Sequence, residues 1–122
     1  MSSRNQTSID ALLPLTPVVF EILLALASGE QHGYAIMRDV SDRTDGRIDL
    51  HAGTLYRALG RMLDGGLIEE LEERPAPDVD DQRRRYYRLT AFGSAVARAE
   101  AERLEAQVTA ARARRLLRKG TP

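Results

Sequence analysis

The chain has no cysteine and no tryptophan among its 122 residues, and only two histidines. Without cysteine there can be no disulfide, no thiolate zinc site and no cysteine nucleophile, which fits a reducing compartment. His32 and His51 are left as the soft metal ligands, and neither has partners at ligand spacing, so no metal and no cofactor is assigned. Also missing is any apolar run near the roughly 20 residues of a membrane span, and residues 1–10, Met-Ser-Ser-Arg-Asn-Gln-Thr-Ser-Ile-Asp, lack the apolar centre of a signal peptide. A cytoplasmic protein with no membrane partner is therefore expected, with residues 1–11 a flexible N-terminus. There is no Gly-x-Ser-x-Gly, no phosphate-cradling glycine loop and no His/carboxylate cluster, so catalytic residues are not expected and the chain is not read as an enzyme.

Net charge is absent too: 18 basic residues balance 18 acidic ones. A nucleic-acid binder usually shows an overall basic balance, so the distribution of charge matters more than its sum. Here the charge is sorted. Residues 69–81 carry Glu69, Glu70, Glu72, Glu73, Asp78, Asp80 and Asp81 against the single base Arg74, whereas residues 83–88 carry four arginines and no acid. All but one of the basic residues are arginine, whose planar fork suits phosphate and guanine, although genome composition explains arginine richness equally well.

The length suits one domain with an appended helix. Thr16 followed by Pro17 reads as a helix start, with threonine as N-cap and proline at the first helical position, and Val19, Ile22, Leu23 and Leu26 continue as a 3.6-period stripe to Ser28-Gly29. A second helix is predicted from Gly33 to Arg43, and Arg47 to Leu50 reads as a stub strand. The third helix, about Ala52 to Asp64, is the informative one. At 100° per residue, Leu55, Leu59, Met62 and Leu63 fall in one sector, with Thr54, Arg57 and Arg61 roughly opposite and Gly53 and Gly60 toward the polar side. One face packs, and the other can meet phosphates and bases.

Leu67 to Glu73 and Arg83 to Leu89 read as two strands around a polar loop, residues 74–82. Alternation puts Arg85, Tyr87 and Leu89 on one face of the second strand and Arg84, Tyr86 and Arg88 on the other. If Arg83 and Arg85 share a face, one of them pairs with an acid such as Glu70 or Glu72 and Arg84 is left for DNA. A final helix is predicted from the N-cap Thr90 to about Arg118, and Ala97, Ala101, Leu104, Val108 and Ala111 step along it as a coiled-coil seam. Residues 119–122 are a tail. The expected fold is thus mostly α with a small β-hairpin: a winged helix-turn-helix over 12–89 plus a long C-terminal dimerisation helix over 90–118.

Five strings stand in order: Leu15-Thr16-Pro17, His32-Gly33-Tyr34, Gly53-Thr54-Leu55-Tyr56-Arg57-Ala58-Leu59, Gly66-Leu67-Ile68, and Arg83-Arg84-Arg85-Tyr86-Tyr87-Arg88-Leu89-Thr90. In this order and spacing the chain resembles the PadR family of bacterial transcriptional regulators, over roughly residues 12–118, and its single C-terminal helix resembles the smaller PadR subfamily. The resemblance implies a repressor bound as a homodimer to an inverted repeat in double-stranded DNA. Helix 52–64 would enter the major groove and the 67–89 hairpin would serve as the wing. Some relatives respond to a small aromatic or drug-like effector, in certain cases from a dimer-interface pocket floored by aromatic residues. This chain has no tryptophan, and Phe92 is its last aromatic residue. Where many relatives carry glycines and a basic residue at the wing tip, it has Pro75, Pro77 and three aspartates.

The DNA-facing candidates are Gly33, Tyr34, Gly53, Thr54, Tyr56, Arg57, Arg61, Arg83, Arg84 and Arg85. Arg57 or Arg61 can fork onto guanine, the Thr54 and Tyr56 hydroxyls can hold phosphate, and free amides at the helix start by Gly33 and Tyr34 can do the same. The plainer alternatives are a solvated polar face, and a glycine easing a turn beside a tyrosine on the core. His32 reads as a capping or surface residue. A different class of function, a winged-helix protein-interaction module that does not bind DNA, suits the zero net charge and the acidic wing.

Overall fold

The computed structural model describes residues 3–75 and 83–118. Five helices and three strands follow in the order α1 (Ser3–Leu12), α2 (Pro17–Ala27), β1 (Gln31–His32), α3 (Gly33–Arg43), α4 (Ala52–Asp64), β2 (Ile68–Pro75), β3 (Arg83–Leu89) and α5 (Ala91–Ala113). The starts of α2 to α5 are those the sequence marks. The Thr16 hydroxyl accepts the Val19 amide at 3.3 Å with Pro17 in the first turn, and the Thr90 hydroxyl accepts the Gly93 amide at 2.9 Å. Helices of 11 to 13 residues are marginal alone in water, so α2, α3 and α4 depend on what they bury. Ile22, Leu23 and Leu26 of α2 meet Ile36 and Val40 of α3, Leu55, Leu59 and Met62 of α4, Tyr87 of β3 and Val96 of α5 in one core.

Four expectations are corrected. Within the expected N-terminal segment, residues 3–12 form a helix, α1, which buries Ile9 in the core and packs on α5. Among its described side chains, Ile9 is the buried one. Residues 47–50 form no strand; the third strand is β1, whose Gln31 and His32 pair with Tyr87 and Tyr86. Two residues are too few to show alternation. The C-terminal helix ends at Ala113 rather than near Arg118, through Arg115 at φ 61° and a Leu116 N–H donated to the Ala111 carbonyl. The first wing strand extends to Pro75, past a bulge between Leu71 and Arg74, proline being tolerated at the end of an edge strand. The expected wing tip at 76–82 and the tail at 119–122 lie outside the described residues.

The strand order β1-β3-β2 puts β3 in the centre. Tyr86 and Tyr87, neighbours that point opposite ways, are both buried, because the helical core covers one face of β3 and His32 lies against the other. Tyr87 joins the helical core, while Tyr86 meets His32 edge-on at 5.4 Å between ring centroids. The fold therefore ties the wing root to the start of α3.

Candidate nucleic-acid interface

The amphipathic reading of α4 is realised. Leu55, Ala58, Leu59 and Met62 are buried, Leu63 is half-buried, and Tyr56, Arg57 and Arg61 are exposed on the outside. Neither Arg57 nor Arg61 makes a hydrogen bond or ion pair among the described residues. Gly53 sits under Arg57: a Cβ added there would stand 3.4 Å from a guanidinium nitrogen, an ordinary contact. Thr54 is half-buried beside it.

The start of α3 is adjacent to α4. His32 caps α3, its Nδ1 accepting the Ala35 amide at 3.2 Å, so its role is structural capping from a buried position. A Cβ on Gly33 would lie 2.6 Å from the Tyr56 hydroxyl oxygen and 3.2 Å from a Leu55 methyl. The exposed Tyr56 ring lies over the first turn of α3, so a side chain at position 33 is accommodated only if that ring swings outward. Gly33→Ala is expected to turn the Tyr56 ring outward and to cost about 1 kcal/mol, because the clash is with the far end of a movable, exposed side chain. Tyr56→Ala in the same chain should recover most of that loss in a urea-denaturation double-mutant cycle. Additive effects would mean that the two positions do not meet.

From the wing side, the Arg84 guanidinium lies 5.4 Å from the Tyr34 ring centroid, and Arg38, one turn along α3, lies 5.3 Å from the same centroid. Two cations thus gather on one exposed ring, an arrangement worth about 0.5–1 kcal/mol per contact at an exposed site. Arg84 is half-buried and packed against Tyr34, whereas Arg85 is exposed and pairs loosely with Glu70 at 3.8 Å. Arg83 is fixed by its backbone opposite Pro75. Arg88 pairs with Glu69, so two acids of β2 are engaged by β3 arginines. Burial, with help from Glu70 and Tyr56 and against Arg85, pushes the Tyr87 phenol above its usual value, so this ring stays neutral. Arg38 was missed in the sequence, although its spacing of four from Tyr34 on a helix was a usable signal.

These elements place Gly33, Tyr34, Gly53, Thr54, Tyr56, Arg57 and Arg84 around the α3–α4 junction. Arg61 is one turn further along α4. The family profile described as Transcriptional regulator PadR-like family matches residues 22–99, which is more than half of the chain. The chain belongs to this family. It is a family of transcriptional regulators, not of enzymes.

The PadR-like match runs from Ile22 in α2 through Ala99 in α5, and so includes all of α3, α4 and the wing. An uncharacterized protein from Lysinibacillus sphaericus is 32% identical over 75 residues, 61% of this chain, and the chain spans 65% of that relative's length. A transcriptional regulator from Clostridium thermocellum has a TM-score of 0.63 at 28% identity, over 76% of this chain and 84% of that one. PadR of Bacillus subtilis, solved in complex with operator DNA, has a TM-score of 0.55 at 19% identity, over 89% of this chain and 52% of that one, a likeness of fold. Among the described residues no helix is long and apolar enough to cross a membrane, and no group of three or more His, Cys, Asp or Glu is arranged to hold a metal ion.

On α5 the predicted seam divides. Ala97 is half-buried against the core, Ala101 is exposed, and Leu104 and Val108 expose 37% and 41% of their surface. The distal half of the helix therefore carries an apolar stripe that its own domain does not cover.

Proposed function

We propose that this PadR-like chain binds double-stranded DNA and represses transcription as a homodimer on an inverted repeat, with α4 in the major groove and the β2–β3 hairpin as the wing. The observation that carries this reading is the outer face of α4, where Arg57 and Arg61 have no protein partner among the described residues. Unpaired guanidiniums on the exposed side of a helix whose other side is core are available to phosphate oxygens and guanine edges. Tyr34 and Arg84 extend the surface onto α3 and β3, with Gly33, Gly53, Thr54 and Tyr56 between them and Arg83 and Arg85 at the wing root. The solved operator complex of the Bacillus subtilis protein supports the same use of the fold. The uncovered stripe of Leu104 and Val108, continued by Ala101 and Ala111, suits a second copy.

Footprinting on the DNA upstream of the protein's own gene should give protection of two half-sites about one helical turn apart, roughly 34–36 Å between centres. Arg57→Ala should then weaken operator binding by tenfold or more. If Arg57 contacts phosphate, the variant also lowers the salt slope by about 0.9 per lost contact; if it contacts a base, the slope stays and sequence preference relaxes. Undiminished binding by Arg57→Ala and Arg61→Ala together would overturn this use of α4. Absence of DNA binding in dilute buffer would leave the protein-interaction module in its place.

A further inference from the structure

Tyr34 exposes 45% of its surface, yet its ring has a fixed setting. His32, the buried cap of α3, lies nearly parallel to it, with 16° between the ring planes and 6.5 Å between centroids. His32 is itself held, by the Ala35 amide on its Nδ1 and by the edge-on contact with Tyr86. Arg38 and Arg84 come to the same tyrosine ring, Arg38 from the next turn of α3 and Arg84 from the wing strand β3. Alternation accounts for the second approach: Arg84 and Tyr86 share a face of β3, and Tyr86 pairs with His32 in the sheet.

We infer that Tyr34 is a positioning residue that sets the guanidiniums of Arg38 and Arg84 together as one clamp on the DNA phosphate backbone, and that Arg38 is a phosphate-binding residue of this chain. This inference rests on the operator-binding reading above. Two cations brought to one ring repel each other, and an anion at their free edges turns that repulsion into attraction for both. A guanidinium over an aromatic face uses that face on the ring and leaves its in-plane N–H donors for an acceptor. Arg38 is exposed and makes no hydrogen bond or ion pair among the described residues, so its donors are available. Location selects phosphate over a base edge. In a helix-turn-helix the helix before the recognition helix crosses the backbone, and α3 has that place before α4.

The ring supplies what the arginines lack alone. A free arginine side chain loses rotamer freedom when it grips a phosphate, and a guanidinium already held on a ring has lost part of that freedom beforehand. One ring serves an arginine from the helix-turn-helix and one from the wing, so the two elements meet the backbone as a unit. The unit adjoins α4, because Tyr56 lies over Gly33, the neighbour of Tyr34. Phosphate contacts fix orientation and carry no sequence information. The clamp therefore contributes equally to binding of operator and of unrelated duplex, unlike a base contact from α4.

The test compares full-length Tyr34→Leu, Tyr34→Phe and Arg38→Gln with wild type, each titrated with the footprinted operator and with a duplex of scrambled sequence at several salt concentrations. Tyr34→Leu should weaken binding to both duplexes by a similar factor, about tenfold or more, with the urea midpoint and circular dichroism kept. Tyr34→Phe retains the ring and should recover most of that loss. Arg38→Gln should lower the salt slope by about 0.9 for each phosphate released, and should cost less in a Tyr34→Leu background than alone. In the chain without DNA, the side-chain resonances of Arg38 and Arg84 should both move in Tyr34→Leu and hold their places in Tyr34→Phe, a ring-current readout that needs no operator. Tyr34→Leu binding like wild type, Tyr34→Phe as weak as Tyr34→Leu, or a salt slope unmoved by Arg38→Gln would overturn the clamp and leave the operator reading standing. A loss confined to the operator would overturn it too, since Tyr34 would then serve base recognition. A wild type that ignores both duplexes in dilute buffer would sink the operator reading and the phosphate role with it, whatever the resonances do.

Discussion

Replacing Gly93 by alanine is expected to destabilise the protein by about 3 kcal/mol or more, at the upper end of what overpacking produces and a large share of a typical 5–15 kcal/mol total. A Cβ at this buried position would stand 1.9 Å from the Leu67 carbonyl oxygen and 2.8 Å from its carbon. Both atoms are backbone, so no side-chain rotation relieves the clash and the first turn of α5 must lift away. What it would lift from is a knot of hydrogen bonds. The Thr90 hydroxyl donates to the Gly66 carbonyl at 2.6 Å, the Thr90 amide donates to the Leu67 carbonyl at 3.1 Å, and the same hydroxyl accepts the Gly93 amide. The contact fastens the C-terminal helix to the exit of α4, so loosening it misaligns the proposed dimer surface with the proposed DNA surface. Urea denaturation of Gly93→Ala beside Ser94→Ala, an exposed neighbour expected to change stability by about 0.5 kcal/mol or less, isolates the effect. Equal midpoints for the two variants would show that α5 does not pass this close to Leu67.

The same knot explains why some of the fold was legible. Gly66-Leu67 and Thr90 belong to two separate strings of the sequence, and the structure shows them in contact, each supplying what the other lacks. Threonine N-caps at 16 and 90 and the apolar stripes of α2 and α4 could be read because capping and helical periodicity are local properties. Elements that depend on a distant partner could not. The strand β1 exists only because β3 lies beside it, and α1 places Ile9 in a core built by distant elements. Alternation along β3 correctly put Tyr86 and Tyr87 on opposite faces, but their joint burial depends on the helical core and His32, which lie on either side of the strand. In the site, the exposed face of α4 was legible from its period. The gathering of Arg38 and Arg84 on Tyr34 joins a helix to a strand about fifty residues away, a juxtaposition no local pattern carries.

Glu100 was the least legible residue, one of three glutamates in an alanine-rich helix, and its removal carries the second large effect. It continues the buried stripe of Gly93 and Val96 and is itself only 2% exposed. Its carboxylate accepts Arg103 Nε at 2.6 Å and a second Arg103 nitrogen at 3.1 Å, while the Leu15 amide donates to it at 3.0 Å. These contacts hold the carboxyl below its usual value, the Arg103 hydrogen bonds contributing most and outweighing the opposing effect of burial, with the Leu15 amide adding to them. Glu100→Ala leaves the Leu15 amide without its acceptor, an orphaned donor alone being worth roughly 1–3 kcal/mol, and removes two charge-assisted bonds as well. A loss of about 3 kcal/mol is expected in urea. Glu100→Gln keeps an acceptor for Leu15 and should lose less.

The pH dependence separates charge from packing. A carboxyl whose folded value is depressed binds fewer protons folded than unfolded across the window between the two values. The stability it contributes is therefore complete above the unfolded value, about 4.3 for glutamate, and is lost as pH falls through the folded value. The difference in urea midpoint between wild type and Glu100→Gln should be constant above about pH 5 and shrink steadily below about pH 4. A difference that does not change with pH would mean the residue serves by shape alone. The same measurement bears on the architecture proposed for the dimer, because Glu100 joins α5 to the entry of α2. Acid that protonates Glu100 should free the C-terminal helix from the Thr16–Pro17 turn before the helical core of Ile22, Leu55 and Val96 gives way. Amide hydrogen exchange at Leu15 that rises ahead of exchange at Leu55 as pH falls, after correction for intrinsic rates, is the expected sign; simultaneous opening would show that the carboxylate is coupled to the whole core.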